Sequence, residues 1–115
     1  MIVIEEKKDY LKVTIYAELT LADFQEFESA VTRGLKAMPK IKLLMDLTNM
    51  SDYTLDVAWE DIKFTKVHAH DFKRIATVTH SRWLTWLGWL SAAFLDAEIK
   101  NFENTAEAEA WLHGG

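Results

Sequence analysis

Four side chains that could bind a metal or transfer a proton lie in one stretch of 13 residues: His68, His70, Asp71 and His80. Residues two apart on a helix point about 200° apart, so His68 and His70 cannot share one ligand face while the helix continues. Histidines in the last turn of a helix instead complement the negative end of the helix dipole. The spacing therefore predicts no metal site.

Nucleophilic catalysis needs a nucleophile beside a base and an orienting acid. The chain has no cysteine, and Ser51, Ser81 and Ser91 lie in no Gly-x-Ser-x-Gly elbow. Its four glycines are scattered and form no phosphate-binding loop. The adjacent acids Glu60 and Asp61 point to different faces of a helix. The sequence therefore predicts neither a catalytic site nor a cofactor.

The most unusual segment spans residues 82–95 and is apolar and rich in tryptophan. A helix that packs one face on a sheet needs a polar back, which this segment lacks. Burying one large apolar side chain is worth about 1.5–3 kcal/mol, so this excess calls for a covering surface. The cover is another part of the chain, a second protomer, or an apolar ligand, lipid or membrane. The predicted ligand- or membrane-binding residues are Trp59, Arg82, Trp83, Trp86, Leu87, Trp89, Leu90 and Phe94.

The charge distribution singles out the same region. The formal net charge of −5 disfavours nucleic-acid binding, which depends on neutralising phosphates with basic side chains. Between residues 62 and 95, however, five basic side chains accompany a single acidic one. Tryptophan beside basic residues is typical of an element that lies on a membrane surface. Binding of anionic lipid there is expected to strengthen on acidification and to weaken in salt.

Apolar periodicity predicts the elements that position these segments. Thr20 is the predicted N-cap of a first helix with a buried stripe of Phe24, Phe27, Val31 and Leu35. Alternation of strands and helices after an initial hairpin predicts an α/β fold with a mixed, mostly parallel five-stranded sheet flanked by four helices. The predicted order is ββαβαβαβα. Strands are expected at 2–5, 10–17, 41–47, 74–78 and 98–102, later helices at 55–70, 82–95 and 105–112, and a polar turn at 48–54.

Length and composition predict a single domain over residues 1–115. Half of the 115 residues are apolar, and a chain of this length buries about two-thirds of its unfolded surface. The longest strongly apolar stretch, residues 83–95, is shorter than the roughly 20 residues of a spanning helix, and the first residues form no secretory signal. The expected location is the cytoplasm, with peripheral contact at the inner membrane face as an extension.

Four strings carry a resemblance to a known family: Leu-Met-Asp-Leu at 44–47, Thr-Leu-Asp-Val-Ala-Trp-Glu-Asp at 54–61, Lys-Arg-Ile-Ala-Thr-Val at 73–78, and the tail at 102–112. Their order and spacing resemble the SpoIIAA-like family of the STAS superfamily, the sulfate-transporter and anti-sigma-factor-antagonist domains. The resemblance implies the STAS fold. Because no catalytic motif was found, we predict a non-enzymatic binding module. Its expected partner is an apolar small molecule, a lipid or membrane surface, or a second protomer. The alternative is a regulatory protein–protein module of the anti-sigma-factor-antagonist type.

In the antagonists that the family includes, the turn before the second helix holds a phosphorylatable serine in an Asp-Ser-Ser-Gly-like motif. This chain departs from that motif, because Leu55 and Asp56 stand roughly where the serines would be and no glycine follows. Ser51 and Thr54 are the remaining candidates for phosphorylation.

Overall fold

The structure is a computed structural model that describes residues 1–54, 63–64, 67, 70–79 and 97–114. In chain order its elements are β1 (Ile2–Glu6), β2 (Leu11–Leu19), α1 (Leu21–Ala37), β3 (Ile41–Tyr53), β4 (Phe72–Val78), β5 (Glu98–Phe102) and α2 (Thr105–His113).

The five strands form one sheet in the order β1-β2-β3-β4-β5. β1 and β2 are antiparallel, and the pairs β2–β3, β3–β4 and β4–β5 are parallel. Parallel neighbours require a crossover connection over a face of the sheet, which α1 supplies between β2 and β3. The predicted mixed, mostly parallel five-stranded sheet is confirmed.

The helices differ from the prediction in number and order. Two helices stand among the described residues where the sequence predicted four, so the described order is ββαβββα instead of ββαβαβαβα. The predicted third helix, 82–95, lies outside the described residues. Of the predicted second helix, 55–70, only Lys63, Phe64 and Val67 are described as helical.

The polar turn predicted at 48–54 is wrong, because β3 continues to Tyr53. β2 is also longer than predicted, and the two strands stay paired as far as Leu19 and Tyr53. Met50, in the middle of this polar stretch, is buried in the core. Two register shifts in this part of β3 break the two-residue alternation, so its polar residues do not resemble a strand.

One face of the sheet packs on α1. Thr20 caps this helix as predicted: its Oγ1 accepts a hydrogen bond from the Asp23 N–H at 3.3 Å, and the Asp23 carboxylate accepts one from the Thr20 N–H at 3.1 Å. Phe24 and Phe27 of α1 are buried and surround the ring of Phe64, at centroid distances of 5.6 and 5.2 Å. These residues cover the apolar side of the strands, which includes Val13, Ile15, Leu43, Leu47 and Ile75.

The other face packs on α2, whose N-cap is Asn104. Ala108 and Leu112 of α2 pack with Leu44, Ala76 and Val78 of the central strands. The helix, predicted at 105–112, ends at His113, and the Gly114 N–H closes its last turn by donating a hydrogen bond to the Ala110 carbonyl at 3.1 Å.

Two basic side chains of the sheet complete the C-terminal end of α2. Lys42 Nζ donates a hydrogen bond to the Leu112 carbonyl at 2.9 Å, and Arg74 Nη1 donates one to the Trp111 carbonyl at 2.6 Å. The Arg74 guanidinium also lies over the Trp111 ring, 4.6 Å from its centroid. Positive charge at this end complements the helix dipole, so the sheet and α2 are joined by charge as well as by apolar contact.

Candidate functional site

The predicted ligand- or membrane-binding set lies outside the described residues. This applies to all eight of its members: Trp59, Arg82, Trp83, Trp86, Leu87, Trp89, Leu90 and Phe94. In the part of the chain that the structure describes, no helix is long and apolar enough to cross a membrane.

The two predicted phosphorylation candidates are described. Ser51 is exposed and lies on β3, while Thr54 is half-buried just after the end of that strand. The Thr54 N–H donates a hydrogen bond to the Leu19 carbonyl at 3.2 Å, which holds this end of β3 beside the end of β2. Both residues therefore lie on or next to a strand end instead of in the predicted turn.

Two β-bulges shape the carboxyl ends of β2 and β3. Thr14 pairs with Asp46 but Tyr16 pairs with Asn49, so β3 contains one extra residue between these pairs. Ser51 is the extra residue of the second bulge, since Ala17 pairs with Met50 and Glu18 with Asp52. A bulge leaves its extra residue out of the ladder and turns the neighbouring side chains. Ser51 is consequently displayed at the surface.

The first bulge is fixed by a side chain from within β3. Asp46 Oδ1 accepts a hydrogen bond from the Thr48 N–H at 3.0 Å and another from the Thr48 hydroxyl. An aspartate that bonds to the backbone two residues later offers the chain an alternative to the regular ladder. Asp46, the aspartate of the Leu-Met-Asp-Leu string, thus stabilises the first bulge at this end of the sheet.

The end of β2 is held by the amino terminus. The Met1 ammonium donates hydrogen bonds to the carbonyls of Tyr16 at 3.0 Å and Glu18 at 3.1 Å, and to Asp23 Oδ2 at 3.1 Å. Burial by itself would raise the pKa of the Asp23 carboxyl, but the hydrogen bonds from the Thr20 N–H and the Met1 ammonium outweigh it and lower that pKa. The ionised Asp23, at the start of α1, therefore holds the Met1 ammonium, which in turn bonds to the carbonyls of Tyr16 and Glu18.

These constraints define a surface that we call the β2–β3 end surface, formed by the exposed residues Tyr16, Glu18, Asn49, Ser51 and Asp52. Val3 adjoins it, because Val3 pairs with Thr14, and residues two apart on a strand, such as Thr14 and Tyr16, share a face. Val3 and Tyr16 are each 40% exposed, although most large apolar side chains of the described sheet are buried. The surface combines an exposed aromatic ring, two acids and a hydroxyl.

The chemistry of this surface suits recognition. Among the described residues no three His, Cys, Asp or Glu side chains converge on a metal-sized site. Tyrosine is enriched at protein interfaces, where its ring supplies contact area and its hydroxyl stays hydrated. Ligands of open α/β sheets also bind at the carboxyl ends of parallel strands, which is where this surface lies.

Sequence reasoning identified Ser51 but missed Tyr16, Glu18 and Asn49. Tyr16 falls within the strand predicted at 10–17, and Asn49 falls within the polar turn predicted at 48–54. One signal was available: Met50 is an apolar residue inside a polar run, which indicates that this run returns to the core.

A five-stranded mixed sheet with α1 on one face and α2 on the other defines a small α/β fold. The sequence profile of the SpoIIAA-like family matches residues 10–113, and the chain belongs to that family. A search of the curated proteins gave no match.

Solved structures agree with this assignment. The chain is similar to an uncharacterised protein of the DUF3478 family with a SpoIIAA-like fold from Shewanella loihica PV-4, at 29% identity and a TM-score of 0.77, over 97% of this chain and 92% of that one. It is also similar to the anti-sigma factor antagonist SpoIIAA in its unphosphorylated form, at 9% identity and a TM-score of 0.62, covering 100% and 99%. An anti-sigma factor antagonist from Mycobacterium paratuberculosis matches at 13% identity and a TM-score of 0.57, covering 98% and 93%.

Proposed function

We propose that this chain is a non-enzymatic regulatory module that binds a protein partner through the β2–β3 end surface, in the manner of an anti-sigma-factor antagonist. Two of the solved structures that share its fold are anti-sigma factor antagonists, and both align with nearly the whole chain. Identities of 9% and 13% support a shared fold alone, so the support for the site comes from the chain's own residues.

The observation that carries the proposal is the exposure of Tyr16 and Ser51 on neighbouring strands at a rigid end of the sheet. The Met1 ammonium, Asp23 and the Asp46–Thr48 bonds hold the backbone on both strands. A surface that is already ordered loses little conformational entropy when a partner binds, which favours affinity. The aromatic ring then supplies the anchor, and the surrounding polar groups supply specificity.

Ser51 offers a means of regulation at this surface. A phosphate would add a charge of about −1.5 to −2 at an exposed position next to Asp52, which itself pairs with Glu18. Beside these two acids a phosphate adds like-charge repulsion and a desolvation cost to any contact that covers it. We infer that phosphorylation of Ser51, or of Thr54 just after the end of β3, weakens partner binding.

The test is affinity purification from the native host with tagged wild-type and variant chains, followed by mass spectrometry. A specific protein should be retained by the wild type and should be reduced about tenfold or more by Tyr16→Ala and by Ser51→Glu, since central aromatic anchors commonly contribute 2 kcal/mol or more. Thr32→Ala, an exposed change on α1, is the control and should retain the partner fully. Equal retention by all four chains would contradict the proposal.

The tryptophan-rich segment supports a second candidate function, the binding of an apolar ligand or a membrane surface. Three of the five tryptophans lie at 83, 86 and 89, within a basic stretch of the sequence. Tryptophan emission should shift to the blue with anionic vesicles and lose that shift in Trp86→Ala and Trp89→Ala, whereas Trp111→Phe should keep it. An unchanged spectrum with anionic and neutral vesicles would exclude lipid as the ligand.

A further inference from the structure

β1 is the terminal strand of the sheet, and within the described residues only β2 pairs with it. Met1 and Tyr16 form a hydrogen-bonded pair, in which the Tyr16 N–H donates to the Met1 carbonyl at 2.8 Å and the Met1 ammonium donates to the Tyr16 carbonyl. The Lys7 N–H likewise donates to the Tyr10 carbonyl at 2.9 Å. Antiparallel pairs alternate between bonded and non-bonded residues, so odd-numbered residues of β1 bond to β2. The backbone N–H and C=O groups of Ile2, Ile4 and Glu6 therefore point away from β2, toward the outer edge of the sheet.

A groove of about 550 Å³ runs between β1 and α1. The two elements run in the same direction, because the Met1 ammonium contacts Asp23 at 3.1 Å and Arg33 Nε contacts Glu6 Oε1 at 3.3 Å. Ten residues of helix and five residues of strand both span roughly 15–17 Å. Ile4, three-fifths of the way from Met1 to Glu6, therefore lies level with about Ser29, and both residues line the groove.

We propose that two copies of this chain associate by pairing their β1 strands antiparallel, with the two-fold axis at Ile4. In this register Ile4 pairs with Ile4 of the second copy, and Ile2 pairs with Glu6 of the second copy. Each of the three pairs exchanges two backbone hydrogen bonds, and the two sheets become one continuous sheet.

Charge complementarity across the groove supports a second copy as the occupant. A two-fold axis at Ile4 places Ser29 of one copy opposite Ser29 of the second copy. Serine is small and permits the two helices to approach closely. Residues three or four positions either side of Ser29 then face each other, so Arg33 meets Glu26 of the second copy, twice per dimer. Both side chains line the groove, and Glu26 has no ion-pair partner within the described part of the chain.

The acidic end of β1 selects this register. Sliding the strands until Glu6 faces Glu6 would place like charges directly opposite, which destabilises a strand pair. The register centred on Ile4 places Glu6 opposite Ile2 and leaves it beside its own Arg33. Because the strands have only five residues, the interface is small, and a reversible equilibrium between monomer and dimer is expected.

The experiment is sedimentation velocity from about 1 µM to about 1 mM protein, which covers the affinities expected of a small interface. The wild type should shift from monomer to dimer over this range. Arg33→Glu should raise the dissociation constant about tenfold or more by removing two ion pairs and creating two repulsions, and the double variant Arg33→Glu with Glu26→Arg should restore it. High salt should weaken the wild-type dimer.

A backbone variant gives an independent check. Glu6→Pro removes an outward N–H without touching the bonds to β2, and proline is tolerated on a free strand edge, so dimerisation should be lost in a folded chain. Glu6→Ala keeps that N–H and is the matched control, with far-UV circular dichroism reporting the fold of each variant. A monomer at every concentration, or a dimer that neither Arg33→Glu nor Glu6→Pro alters, would overturn the proposal while leaving partner binding at the β2–β3 end surface unaffected.

Discussion

Ala17 is the one non-glycine residue with a positive φ among the described residues. Its φ of 56° lies in the left-handed region, which costs a non-glycine residue about 1–2 kcal/mol. Its pairing with Met50 of β3 and the hydrogen bonds from the Met1 ammonium to the carbonyls of Tyr16 and Glu18 hold it there. Strained residues of this kind concentrate at binding surfaces, and Ala17 separates the two β2 residues of the β2–β3 end surface.

Tyr10 gives a prediction that can be tested through pH. Burial of its ring, followed by the negative charge and hydrogen bonding of Glu109, raises the pKa of the phenol above its usual value of about 10. The folded state thus favours the neutral phenol. Its contribution to stability is complete below the unfolded-state pKa and is lost as the pH rises through the folded-state pKa.

The measurement is the free energy of unfolding in urea from pH 8 to pH 11 for wild type and Tyr10→Phe. The wild type should lose stability relative to the variant above about pH 10, since phenylalanine has no proton to lose. The difference between the two proteins cancels the other tyrosines and the lysines. A constant difference across the range would show that burial of Tyr10 is not linked to its titration.

At the scale of elements, the docking of α2 depends on Arg74, which combines a hydrogen bond to the Trp111 carbonyl with a position over the Trp111 ring. The Arg74 side chain is only 17% exposed, so both contacts are partly shielded from water. Its ion pair with Glu98, at 3.7 Å, adds little because Glu98 is largely exposed.

We expect Arg74→Ala to lower the free energy of unfolding by about 2 kcal/mol, from a charged hydrogen bond and a cation–π contact. Arg74→Lys should lose about half as much, because an ammonium cannot stack and donate in the same fixed geometry. Lys8→Ala, in the exposed hairpin turn, is the control and should change stability by less than about 0.5 kcal/mol. If Lys8→Ala matched Arg74→Ala, the loss would reflect net charge and not the docking of α2.

The elements that could be predicted from sequence are those with unbroken periodicity. The strand at Glu98–Phe102 was predicted to the residue, and α1 begins after its predicted cap, Thr20. The second half of β3 could not be predicted, because two bulges remove the alternation that identifies a strand. Its pairing with β2 is a long-range contact that no local pattern encodes.

The candidate site was predictable only in part for the same reason. Ser51 was selected as a hydroxyl that could be modified, without knowledge of its surroundings. Tyr16 lies 35 positions earlier and is brought to the same end of the sheet only by the parallel pairing of β2 with β3. The tryptophan-rich set at 82–95 stays a prediction, as does the assignment of one domain to residues 1–115.

At the scale of the whole molecule, the two surfaces that we propose for association lie at different places on the described sheet. The β2–β3 end surface presents side chains at the carboxyl ends of two parallel strands. The outer edge of β1 presents backbone groups beside a charged groove. Pairing through β1 would join two sheets and leave one β2–β3 end surface on each copy, so a dimer could bind two partners.

The measurement that tests the central claim most directly is photo-crosslinking in living cells, with p-benzoyl-phenylalanine in place of Tyr16 or of Lys36. Lys36 is exposed in the last turn of α1 and lies away from the proposed surface. We predict one defined crosslinked protein from position 16, none from position 36, and loss of the product when Ser51→Glu is added. The same crosslinks from both positions, or no product from position 16 in cells of the native host, would contradict a partner-binding role for the β2–β3 end surface.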